Sequence, residues 1–223
     1  MAATAPPMLL QQLQDLLTGI YDLSTDYRVY DFLFTERARL PSPARESETD
    51  EQVLVLEQGG AASVGLYLDP RLLERLASAN PIKTLNGGNL ADYWTALEGV
   101  SHFLYLAWNA GHDKPVSILE LEMQAEIDKY VATFALLRRQ SPQRFPAELM
   151  RLLFERTRID PNLASARQRM YRAASRYAEK FCRQLERGLR DSRAELGREV
   201  LAQLRRFYRL SDGRKMAHIE RGR

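Results

Sequence analysis

Apolar positions along the chain change period once, and that change predicts the fold. In "PPMLLQQLQDLLTGI", Leu9, Leu13, Leu16, Leu17 and Ile20 recur at helical spacing, with Gly19 as the stop signal. The next apolar run, "YRVYDFLFTER" (27–37), is aromatic and β-branched and predicts a strand. "LPSPARESETDE" (40–51) predicts a polar loop, and "EQVLVLEQ" and "SVGLYLD" predict a hairpin around Gly59-Gly60. "LDPRLLERLA" opens a helix with Asp69 as N-cap and Pro70 at the first helical position.

From Asn89 onward the pattern predicts only helices. "NLAD" caps one over 90–110. Ser117 with Glu120 forms a capping box for one over 118–139. Pro146 opens a third, Asp160-Pro161 a long fourth over 161–189, and the Ser192/Glu195 box a fifth. The tail "SDGRKMAHIERGR" is polar and basic and predicts frayed chain. The expected fold class is therefore α+β: a small three-stranded antiparallel sheet over about 27–68, with a predominantly helical remainder packed as a bundle. A length of 223 residues suits a single domain, 1–223.

Composition narrows the function classes. One cysteine, Cys182, excludes a disulfide scaffold and a Cys-rich zinc site, and its place on a helical pattern beside Phe181 predicts a small buried hydrophobe. The start lacks the basic residues of a secretory signal, and "VSHFLYLAWNA" is too short to span a bilayer, so a cytoplasmic protein without membrane contact is expected. Charge divides the chain. Residues 1–137, the acidic sheet-containing half, hold 9 Lys+Arg against 19 Asp+Glu; residues 138–223, the basic helical half, hold 23 against 10. Such asymmetry points to an acidic protein partner, to self-association, or to nucleic acid.

Two arrangements carry candidate chemistry. The 90–110 helix is apolar nearly all round, apart from a strip of Thr95, Glu98, His102 and Asn109. The 118–139 helix presents Glu122, Glu126, Lys129 and Thr133 on one strip and Glu120, Gln124 and Asp128 on another. A short connection makes the two helices antiparallel neighbours. At about 1.5 Å rise per residue, His102 and Glu126 then lie at matching heights, each roughly 12–14 Å from the turn. Carboxylates with an imidazole on facing helices are the ligand set of bundle metal sites, here Glu98, His102, Glu122 and Glu126 holding a divalent metal. The pattern is Glu-x-x-x-His, once, and not the repeated Glu-x-x-His of di-metal bundles. The competing reading is a structural seam in which His102 hydrogen-bonds Glu122 or Glu126, and Glu126 pairs with Lys129. His112 and His218 fall in a turn and in the tail.

The second arrangement is a stripe of Arg172, Arg176, Arg183, Arg187 and Arg190, continued by Arg198, Arg205, Arg206 and Arg209. It offers an electropositive face to an acidic partner or to phosphates. Glu179 and Glu186, each four residues before an arginine of the stripe, neutralise part of it. No helix-turn-helix or RNP signature accompanies it, and "LNGGNL" (85–90) lacks the glycine spacing of a nucleotide loop. With no catalytic motif present, the expected function is a non-catalytic binding or adaptor protein with no cofactor. A helical-bundle metalloenzyme and a nucleic-acid-binding protein are the alternatives.

Overall fold

The computed structural model describes residues 9–46, 49–58, 61–155, 163–191 and 195–222. Its centre is an antiparallel helix pair, α5 (Leu90–Ala110) and α6 (Ile118–Gln140), and both are apolar enough to be surrounded. Ser117 caps α6 by accepting from Glu120 N at 3.1 Å, as the capping box predicts. The Glu120 side chain does not return to the cap; it turns inward instead. Asn89 precedes α5 without a side-chain capping bond. Its amide donates to Ala79 O and Thr84 O and so fastens the preceding loop.

Around this pair lie α1 (Leu9–Tyr21), a single turn α2 (Val29–Phe32), β1 (Leu33–Phe34), a short turn α3 (Ser42–Arg45), β2 (Glu51–Gln58), β3 (Ala61–Leu68) and α4 (Pro70–Ser78). A π-helical turn at Arg151–Glu155 follows α6. Then come α7 (Ser165–Asp191), α8 (Arg198–Tyr208) and α9 (Asp212–Arg221). Asp69 caps α4 by accepting from Arg71 N. The expected α+β class with a helical bundle holds.

Several details differ from the sequence expectations. The sheet is mixed, not antiparallel. β2 pairs antiparallel with β3, but β1 pairs parallel with the other edge of β3, Leu33 opposite Leu66 and Phe34 opposite Tyr67. The expected strand over 27–37 keeps only those two residues, because Gln14 of α1 accepts from Val29 N and Tyr30 O–H accepts from Leu10 N, which holds 29–32 as a helical turn on α1. α1 runs past Gly19 and stops at Asp22, which takes a left-handed φ of 54°. The tail does not fray. It forms α9, with Lys215 and Ile219 buried. Gly59-Gly60, Asp160-Pro161 and Ser192 lie outside the described residues, but both helices expected there begin later, α7 at Ser165 and α8 at Arg198, where Glu195 pairs with Arg139 ahead of the helix.

One apolar cluster joins α1, β3, α4, α5, α6, α7, α8 and α9, so the acidic and basic halves share a core. α7 contributes Ala174, Ala178, Phe181, Cys182, Leu185 and Leu189; Phe181 stacks on Phe207 of α8 at 3.9 Å. Cys182 is fully buried, as its helical context predicts. Among the described residues no helix is long and apolar enough to cross a membrane.

Candidate metal centre

α5 turns Glu98 and His102 toward one side, where α6 presents Glu122, Glu126 and Lys129. β2 supplies a residue that helical spacing could not reveal, Glu51. His102 is 5 % exposed. Its Nδ1 lies 3.5 Å from Glu51 Oε1 and its Nε2 lies 3.8 Å from Glu122 Oε2. The expected hydrogen bond from His102 to Glu122 or Glu126 is not formed. Glu126 instead pairs with Lys129 at 2.6 Å, and Lys129 also donates to Glu98 Oε2 at 3.0 Å. The four residues that spacing singled out do gather in one place, and Glu51 and Lys129 complete the group. An imidazole nitrogen of His102 and one oxygen from each of Glu51 and Glu98 lie within 4.8 Å of one another.

Glu51 reaches this position through a gap in α5. Gly99 follows Glu98, and a Cβ at position 99 would stand 2.8 Å from Leu66 Cδ1 and 2.9 Å from Glu51 Cγ. The sheet therefore approaches the helix closely at this point, and a methyl at 99 would require the Leu66 and Glu51 side chains to shift.

The group is incompletely satisfied. Glu51 Oε1, His102 Nε2 and Glu126 Oε2 are buried and have no hydrogen-bond partner among the described residues. Buried polar atoms are rarely left so. Charge is also unbalanced, with four carboxylates facing one ammonium and one imidazole. Burial pushes Glu122 up to about 7, with Glu98 and Glu51 adding to the effect and His102 opposing it. Burial likewise raises Glu51 and Glu126, against the pull of His102 on the former and Lys129 on the latter. Burial resists ionisation of Glu98 too, but Lys129 and His102 overcome it and hold that carboxyl low. On His102, burial favours the neutral ring; Glu51, Glu122 and Glu98 outweigh it and raise the imidazole to about 9. Glu98 is the most accessible member, its side chain 30 % exposed. Tyr171 of α7 stands within electrostatic reach of Glu122 and Glu98, with Arg167 beside it; burial first, then those carboxylates, raise its phenol.

A second polar group lies elsewhere between α5 and α6. Asp128 accepts from Tyr21, from Ser101 Oγ at 2.6 Å and from Gln124 Nε2 at 2.8 Å. Lys215 of α9, fully buried, donates to Tyr105 at 2.5 Å and to Gln124 Oε1 at 3.3 Å, and pairs with Glu120 at 3.2 Å. None of these side chains is left with an unpartnered buried atom.

The arginine stripe divides by location. Arg172, Arg176, Arg183, Arg187 and Arg190 are exposed along α7. Arg183 pairs with Glu179 at 2.6 Å and Arg190 with Glu186 at 2.8 Å, while Arg190 also lies over the Phe145 ring. Arg198 and Arg206 are exposed on α8. Arg205 and Arg209 serve the fold: Arg205 donates to Gly19 O and Ile20 O, and Arg209 to Tyr21 O and Asp22 O. They satisfy the carbonyls that the end of α1 leaves open.

No protein-family model matches the chain, and no curated protein and no solved structure matches it significantly.

Proposed function

We propose that this chain is a helical metalloprotein that binds a hard divalent cation in the seam between β2, α5 and α6. The observation that supports the reading is the approach of one ligand atom each from Glu51, Glu98 and His102 to within 4.8 Å of one another, with the buried His102 Nε2 left without a hydrogen-bond partner among the described residues. A cluster of carboxylates alone is common on protein surfaces. Buried carboxylates in excess of their counter-charges, beside an imidazole nitrogen with no acceptor, are costly unless a cation joins them. Glu51, Glu98 and His102 are the primary ligands on this reading, with Glu122 adjacent. Oxygen-rich sets with one imidazole suit Mn²⁺ or Fe²⁺ better than soft metals. A metal held there supplies Lewis-acid chemistry. The chain's own part is to hold the ligands on rigid elements, and Glu98 is its most open side. The test is metal analysis of purified protein, followed by thermal unfolding of the apoprotein with Mg²⁺, Ca²⁺, Mn²⁺, Fe²⁺ and Zn²⁺. Stoichiometric metal that is lost in His102→Ala and Glu98→Ala is the expected result. No uptake and no change in melting temperature with any of the five would sink the reading.

A second reading, binding of an acidic protein partner, is favoured by Arg176 and Arg187, which are exposed on α7 and form no ion pair among the described residues. Reversing both to glutamate should abolish capture of that partner. Nucleic acid is the rival occupant of this face, and its binding would weaken steeply with salt in a mobility-shift titration. The seam and the α7 face are not exclusive of each other.

A further inference from the structure

Lys129 places its ammonium between carboxylates of α5 and α6. Its ammonium lies 2.6 Å from Glu126 Oε1 and 3.0 Å from Glu98 Oε2. It thus bridges carboxylates from two facing helices, the role of a cation in carboxylate-bridged centres. Glu98 is common to both parts of the seam. It contributes to the Glu51–Glu98–His102 group, whose ligand atoms lie within 4.8 Å of one another, and it also holds the ammonium. Glu126 gives one oxygen to the ammonium and keeps the other, Oε2, buried without a partner. The side chain of Lys129 is 9 % exposed, so the cation is enclosed with its carboxylates.

We infer that the seam is a two-cation site in which the Lys129 ammonium permanently fills one position, so that the native chain takes one divalent ion and a chain with a neutral residue at 129 takes two. The inference rests on the metal-binding reading above. It differs from an ordinary structural ion pair in a measurable way. A structural pair, once broken, leaves two stranded carboxylates. A second cation position, once vacated, accepts a metal ion. The tethered ammonium also sets the chemistry of the centre: one Lewis acid beside a fixed positive charge, with no second metal to clamp the far side of a substrate.

The experiment counts Mn²⁺ bound to chelator-treated protein by calorimetric titration, and reads the same samples by electron paramagnetic resonance. Native protein should bind one Mn²⁺ and give the signal of an isolated ion. Lys129→Met should bind two and give the exchange-coupled signal of ions a few ångströms apart. Lys129→Met combined with Glu126→Gln should return to one. Lys129→Met should also melt lower than native protein in chelator and recover in Mn²⁺. If it folds only with metal present, it is purified in Mn²⁺ and the ions are counted by native mass spectrometry. One ion in both native protein and Lys129→Met overturns the inference and leaves the metal reading standing. Two ions in native protein overturn it also. A Lys129→Met chain that Mn²⁺ does not restore counts against it, since the vacated position then holds no metal. No ion in either protein removes the metal reading itself.

Discussion

The two faces of the α5/α6 pair carry polar groups of similar composition and opposite condition. In the Asp128–Lys215 network, Asp128 and Glu120 face hydroxyl, amide or ammonium donors, and the unpartnered buried atoms lie beside them, on Tyr208 and Asp212. In the His102 seam, three buried ligand atoms stay unpartnered and four carboxylates share two cations. A satisfied buried network specifies a core; a partly satisfied one is costly unless something outside the chain completes it. Asp128, Glu120 and Lys215 are almost wholly buried, whereas Glu51, Glu122 and Glu98 keep 13 %, 14 % and 30 % of their side chains exposed, so the seam is the more accessible of the two groups.

That contrast can be broken by mutation. The largest expected effect is Asp128→Ala, which strands the donors of Tyr21, Ser101 and Gln124. It should lower stability by about 3–5 kcal/mol in urea unfolding. If it costs no more than His102→Ala, the distinction between the two groups fails.

Next comes the pH dependence contributed by Lys215. Burial lowers this lysine to about 8, against the pull of Glu120, Asp128 and Asp212, and Tyr105 and Gln124 accept its hydrogen bonds. Between about pH 8 and the ordinary lysine value of about 10.5, the unfolded chain binds a proton that the folded chain has lost. Stability should therefore rise with pH across that window, by up to about 3 kcal/mol relative to Lys215→Met, and the contribution should be absent below pH 8. A flat difference between the two proteins from pH 7 to 10.5 would show that α9 docks Lys215 without this cost.

His102→Ala should cost about 1–3 kcal/mol in metal-free protein, because Glu51 and Glu122 lose their nearest positive neighbour. An unchanged melting temperature accompanied by loss of metal binding would assign the residue wholly to the site. The smallest effect is expected for Glu122→Gln. Among the described residues Glu122 accepts no hydrogen bond from another side chain, and one of four crowded charges is removed. Metal-free stability should change by less than about 1 kcal/mol while Mn²⁺ affinity falls. A large loss of stability would mean that Glu122 belongs to the structural network after all.

The helical half of this architecture was legible in advance. Leu90–Ala110 and Ile118–Gln140 follow the apolar period within a residue or so, and the helical projection placed Glu98, His102, Glu122 and Glu126 on facing strips. Glu51 was not legible, because a strand residue's approach to a helix depends on sheet docking, a non-local event that spacing along one element cannot express. Its one local trace is Gly99 within an otherwise strong helix pattern. Lys215 was missed because the tail is polar on average. The available signals were Ser211 before Asp212, and Lys215, Met216 and Ile219 at helical spacing. The strand expected at 27–37 failed for a tertiary reason, the hold of Gln14 and Leu10 on residues 29 and 30. The charge asymmetry was real but partly misleading as a surface property, since Glu51, Glu98, Glu120, Glu122, Glu126 and Asp128 are drawn largely inside.

Gly99 has a consequence for how such a centre could be adjusted. Alanine inside a helix is worth about 1 kcal/mol over glycine, so α5 gives up intrinsic helicity at the residue beside Glu98. What the missing methyl provides is separation: it sets how deeply β2 can lean across α5, and hence whether Glu51 stands with His102 or apart from it. Position 99 therefore acts as a spacer whose thickness tunes the charge around an imidazole without any charged residue being altered. A single methyl there would press on the Glu51 and Leu66 side chains, and so act on the sheet's contribution without altering any residue of the two helical strips.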